Sequence, residues 1–250
     1  MATLGRERSA VRRRIHAQLA SGFAADWLRA GQPAADLSTT AGVSMNKIIA
    51  TLREMDELGC VLLNDAKHAE AHLQSDTARR HYVRAVFAYI EGLGFRLKRV
   101  VLARHASGLC KLLPPEIALL REESYDLDDK GVPHIRAAHL KLTRNLRFAF
   151  EQYAKAYGMA GTLAVDAPGW RALLAAAEIR NRLMHPKSVQ DIEVTEDEAK
   201  VVKAALDWFT AEFVRLLGIS VPGSRRSKPE TPKRHMERFK RGHRVKGRDI

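Results

Sequence analysis

Cysteine is nearly missing from this chain: Cys60 and Cys110 are the only two in 250 residues. Two thiols exclude a disulfide framework and give no metal-ligand cluster. Aromatic residues are scarce, at 6%, and β-branched runs are few. No apolar run approaches the roughly 18 residues a bilayer span requires. The basic opening, Met1 to Arg14, leads into no apolar core of the kind a signal peptide needs. These absences predict a protein without membrane contact, located in the cytoplasm.

What is present is helix-forming sequence and charge. Long stretches read in Ala, Leu, Arg, Glu and Lys, which favour helix. The chain is 46% hydrophobic, enough for a real core, and 28% charged. An all-α fold is expected, as one large domain or two small ones. The formal net charge of +13 sits mostly at the ends, in residues 1–14 and 221–250. The folded body is close to neutral. Basic arms suit a polyanion through counterion release, or simply keep the chain solvated. The arm residues singled out for nucleic acid are Arg12, Arg13, Arg14, Arg225, Arg226, Lys233, Arg234, Lys240 and Arg241.

Three units are expected: residues 1–70, 71–220 and 221–250. In the first, a short helix with Leu37 and Ala41 would stop at Gly42, where a left-handed turn costs least. Ser44 would cap a second helix carrying Ile48, Leu52, Met55 and Leu58 on one face, with Gly59 as its stop. Cys60 to Leu63 would be a short strand. The arrangement resembles a winged helix-turn-helix through Leu37, Ala41, Gly42, Val43, Ile48 and the Leu58-Gly59-Cys60-Val61 ending. Ser38 stands where that family usually has Ala, and no second wing strand follows. The resemblance implies DNA contact through Asn46 and Lys47, although Glu54, Asp56 and Glu57 on the same helix would repel phosphates. A small helical packing module is the other reading.

The second unit shows four apolar stripes at helical spacing. They are Val83, Phe87, Ile90, Leu97 and Val101; Ile135, Leu142, Leu146, Ala149 and Tyr153; Trp170, Leu173, Ala177 and Met184; and Val202, Leu206, Phe209, Phe213 and Leu216. Four such helices in series predict an antiparallel bundle. Residues 106–134 interrupt them, with a break at Pro114-Pro115, a short helix from Glu116 to Glu123 and a turn-rich stretch to Pro133. That segment is a lid, a partner surface or a tolerated insertion. Residues 221–250 lack apolar periodicity, and disorder is the expectation.

The chemistry concentrates in Glu178-Ile179-Arg180-Asn181-Arg182-Leu183-Met184-His185-Pro186. Arg180 and Asn181 fall where the stripe predicts burial, which costs free energy unless they are paired or line a cleft. Pro186 pushes His185 out of helical geometry, so the helix ends there. Asn181 and His185 are one turn apart. Arg180 lies about 140° from His185 around the helix, so the two meet only from the side or through a bound anion. An imidazole exchanges protons near neutral pH, and an arginine fork holds phosphate and stabilises its charge. With a neighbouring 2′-hydroxyl, that pair suffices for metal-free cleavage of RNA.

Arg, four residues and His, with Asn after the Arg and Pro after the His, resembles the signature of the HEPN superfamily. The order of a long helix near 76–106, a second at 135–157, a motif helix at 168–185 and a closing helix is similar to that superfamily's four- to five-helix bundle. The resemblance covers about 140 of the 250 residues. It implies a metal-independent endoribonuclease, often a toxin or defence effector, working as a homodimer with two motifs across one RNA cleft. It implies Arg180 and His185 as catalytic and Asn181 as a polar helper. The 106–134 insertion departs from the compact pattern, so substrate and regulation do not carry over. No cofactor or metal is expected, since His68 and His72 lack a third ligand. Expected partners are RNA, a second copy, and an antitoxin or defence protein, with DNA as the alternative. The competing readings are a DNA-binding regulator and a non-catalytic RNA-binding adaptor. A histidine at a helix C-terminus is also favoured by the helix dipole alone.

Overall fold

The structure, a computed structural model, describes residues 39–159 and 163–218, and side chains from residue 45 onward. The basic-arm residues Arg12, Arg13, Arg14, Arg225, Arg226, Lys233, Arg234, Lys240 and Arg241, and the disorder expected beyond residue 220, lie outside the described residues. The described chain is mostly helical. Its elements in order are α1 (Thr39–Glu70), α2 (Asp76–Ala106), α3 (Pro114–Arg121), β1 (Glu123–Leu127), β2 (Pro133–Ala137), α4 (Leu142–Ala156), α5 (Pro168–Met184), a 3-10 turn (Gln190–Ile192) and α6 (Glu196–Leu216). No helix among the described residues is long and apolar enough to cross a membrane.

Helix α2 organises the rest. Its expected stripe is buried throughout, with Val83, Phe87, Ile90, Leu97 and Val101 all almost inaccessible. Helices α1, α3, α4, α5 and α6 all pack against it. Tyr89 on α2, Phe150 on α4 and Phe209 on α6 form the centre, with Phe209 edge-on to the other two at 5.8 and 5.9 Å. Burying such rings is the largest single source of stability in a core of this kind. Two glycines let neighbours approach α2 closely. A Cβ on Gly92 would stand 2.8 Å from Leu62 of α1, and one on Gly94 would stand 2.7 Å from Leu146 of α4. The starts of α2 and α6 are capped by side chains. Ser75 Oγ accepts from the Ala78 amide, and Thr195 and Glu198 cap each other's amides at the start of α6.

The N-terminal region departs from the helix-turn-helix expectation. One helix runs unbroken through Gly42, Ser44, Gly59 and Cys60–Leu63, with neither turn nor strand. The reason is visible in its apolar face. Ile48, Met55 and Ala66 are buried, and Leu52 and Leu62 pack on the core. Gly59 sits on this same face, where a Cβ would meet Leu93 at 3.1 Å. Gly59 therefore serves close packing rather than termination. A glycine inside a helix costs only about 1 kcal/mol, which burial of a continuous face outweighs.

Three further expectations change. Ile135 is 60% exposed on strand β2, and the following helix starts only at Leu142. Met184 is 50% exposed, and the buried side of α5 runs through Leu173, Ala176, Ala177 and Leu183 instead. The stretch after Glu123 is a hairpin, with Tyr125 opposite Ile135 and Asp126 opposite His134. Asp128 closes it by accepting from the Lys130 and Val132 amides, and Gly131 takes the left-handed conformation. The short helix before it, α3, is fastened to α4 by Glu116, which accepts from Gln152 and Lys155.

Candidate functional site

Helix α5 carries the motif, and its end is built by local chemistry. His185 has φ −132° and ψ 56°, outside the helix, as Pro186 requires, and its amide still donates to the Asn181 carbonyl at 3.1 Å. The chain beyond is fastened at several points. Asp191 accepts from the amides of Lys187 and Ser188 at 2.8 and 2.9 Å. Those bonds hold the Asp191 carboxyl below its ordinary pKa, so it stays ionised. Arg182 reaches Glu198 at 2.6 Å, and the Val194 amide donates to Asp76 at the start of α2 at 2.7 Å. Arg79 completes the tie by donating to the Val194 carbonyl. The exposed His185 thus stands on an anchored helix end.

Arg180 points elsewhere. Its guanidinium forms an ion pair with Glu91 of α2 at 2.8 Å and donates to Asn181 Oδ1 at 3.2 Å. The arginine is half-buried and Asn181 is exposed. Both line a groove of about 820 Å³ between α2, α5 and the segment leading into α4. Glu91, Phe95, Glu122, Leu142, Asn145 and Glu178 also face it. His185 is not among its lining residues. The structure therefore brings Arg180 and Asn181 into one polar hollow and leaves His185 on the same helix, one turn past Asn181, outside that hollow.

One groove wall comes from the chain between the hairpin and α4, together with Glu122. Ala138 to Lys141 line it directly, and the Ala138 amide donates to the Glu122 carbonyl at 2.7 Å. Glu122 is the only non-glycine among the described residues with a positive φ, at 60°. Its carboxylate is gripped from behind by Lys98, whose side chain is fully buried. Asn145 links the two, accepting from Lys98 at 3.0 Å and donating to Glu122 at 3.1 Å. Burial pushes the Glu122 carboxyl up, but the Lys98 and Asn145 hydrogen bonds and the Lys98 charge outweigh it, so its pKa lies below the ordinary value.

Sequence reasoning singled out Arg180, Asn181 and His185 but missed Glu91, Lys98, Glu122 and Asn145. A signal existed for two of them: Glu91 and Lys98 are charges set inside the apolar stripe of α2, Glu91 between Ile90 and Leu93 and Lys98 between Leu97 and Val101. Asn46 and Lys47 are exposed on the first half of α1, on a continuous helix rather than after a turn. Fold and site together define a mostly helical protein with a polar groove, walled on one side by Glu122 and the segment that leads from the hairpin into α4. No known family model matches the chain, and neither does any curated protein or solved structure.

Proposed function

We propose that this chain is a metal-independent endoribonuclease of the HEPN kind, acting as a homodimer, with a role as a toxin or defence effector. Arg180 grips the scissile phosphate. His185 acts as general base on the adjacent 2′-hydroxyl, which attacks phosphorus, expels the 5′-oxygen and leaves a 2′,3′-cyclic phosphate. Asn181 orients the guanidinium.

The observation that carries this reading is the position of Arg180: a guanidinium held in a groove by Glu91, on a helix that ends at an exposed histidine. A guanidinium has five N–H donors; one terminal nitrogen of Arg180 donates to Asn181 and the other is ion-paired with Glu91, so a phosphate oxygen has donors to meet. Next to the motif, α5 also carries Met184, 50% accessible. That apolar surface suits a second copy, whose His185 would approach this groove from outside. The unbroken α1 removes the turn on which a helix-turn-helix DNA reader rested, so RNA is the preferred polyanion.

The test is cleavage of total cellular RNA by purified wild type, His185→Ala and Arg180→Ala in a metal chelator, with end chemistry read out. Wild type should leave cyclic phosphate ends, and each variant should lose about a hundredfold or more in rate. Equal behaviour of wild type and His185→Ala, or no cleavage by either, refutes it and favours a non-catalytic adaptor.

A further inference from the structure

The groove holds more than a phosphate clamp needs. Phe95 and Leu174, 43% and 40% exposed, flank it as large apolar side chains with no core to fill. The groove is also lined by Glu122, whose contacts with Lys98 and Asn145 all fall on Oε1. That oxygen is saturated by two donors, while Oε2 keeps its lone pairs for a ligand. The cost of burying the whole Lys98 side chain makes sense if it fixes this carboxylate, charged and oriented, at the groove.

Resting on the reading above, we propose that this part of the groove seats one guanine of the RNA, read by Glu122 and flanked by Phe95 and Leu174. The argument is donor arithmetic. A carboxylate oxygen accepts only, so it favours an edge of adjacent donors. Guanine alone presents two side by side, N1–H and N2–H. Adenine and cytosine place a ring-nitrogen acceptor beside their amino group, and uracil sets its single N–H between two carbonyls. Those acceptors would face the charge and repel it. An aromatic ring and an aliphatic side chain lining the same hollow suit a base plane. A hollow of about 820 Å³ accommodates a nucleotide. Arg180, which lines the same groove, then meets the phosphate next to that base. The insertion that breaks the compact bundle pattern thereby supplies base selectivity.

The full chain would be titrated calorimetrically with guanosine 3′-monophosphate and uridine 3′-monophosphate, as wild type, Glu122→Gln and Phe95→Ala. Wild type should bind the guanosine nucleotide about tenfold or more tightly, Glu122→Gln should erase that ratio, and Phe95→Ala should weaken both nucleotides while keeping it. If Glu122→Gln does not fold, Glu122→Asp, which keeps the charge beside Lys98 but withdraws it from the base, should erase the ratio in its place. Equal binding by wild type, or a ratio that survives loss of the Glu122 carboxylate, overturns the proposal. Guanosine selectivity without RNA cleavage would refute the nuclease reading alone, and cleavage at every base alike would refute the guanine site alone.

Discussion

Removing Glu122 should cost far more than removing its partner, because only one of the two is sealed from water. Lys98 is fully buried, and the described contacts of its ammonium are Glu122, Asn145 and the face of the Phe95 ring at 6.0 Å. In Glu122→Ala the charge stays buried with one neutral acceptor. Stranding a buried ion costs about 3–5 kcal/mol, and the 37% exposure of the Glu122 side chain argues for the lower end, about 3 kcal/mol. At about 2–4 °C per kcal/mol for a domain of this size, the melting temperature should fall by about 6–12 °C. Lys98→Met keeps the aliphatic stem in the core and leaves Glu122 and Asn145 facing the groove, where water satisfies them. Its cost should stay within about 1 kcal/mol. The double variant should resemble Lys98→Met, a coupling that thermal unfolding by circular dichroism reads directly. The pH dependence has a fixed sign. The Glu122 pKa is depressed in the folded state, so its stabilisation is present in full above the ordinary carboxylate value and is lost as pH falls through the folded value. The gap between wild type and Glu122→Ala should therefore close in acid. Equal losses for the two single variants, additivity in the double, or a gap that widens in acid would refute this account.

Two further outcomes follow from the packing and from the motif's support. Gly94→Ala places a methyl 2.7 Å from Leu146, and the shift it forces between α2 and α4 should cost about 1–3 kcal/mol in chemical denaturation, whereas an unchanged midpoint would show that Leu146 yields freely. Asp191→Ala frees the Lys187 and Ser188 amides beside His185, so their hydrogen exchange should quicken and RNA cleavage should fall with little change in melting temperature; unchanged exchange would mean that Pro186 alone fixes the loop.

Helix positions were readable because burial leaves a periodic trace. The α2 and α6 stripes are buried as expected, residue by residue, and the end of α5 at His185 follows from Pro186. Glycines misled. Gly42 and Gly59 carry the local marks of helix ends, yet lie inside α1; at Gly59 the reason is that a glycine that admits a neighbouring leucine looks the same in sequence as one that stops a helix. The hairpin was missed because its strands are five residues each and largely exposed, so alternation gives little contrast. Met184 was placed one residue off the buried line, where Leu183 lies. Of the site, the motif could be read from its spacing. Its counterparts could not, because Glu91 lies 89 positions from Arg180 along the chain and pairs with it only after α2 and α5 pack.

The ion pair between Arg180 and Glu91 sets terms for whatever enters the groove. A small anion from the surrounding solution, such as inorganic phosphate, would have to displace a carboxylate already in place while offering nothing beyond its own charge. A ligand anchored elsewhere along the hollow brings enough binding energy to make that exchange worthwhile. Under the proposed function the acid is a filter, shielding the arginine from abundant simple ions and yielding it to extended ones.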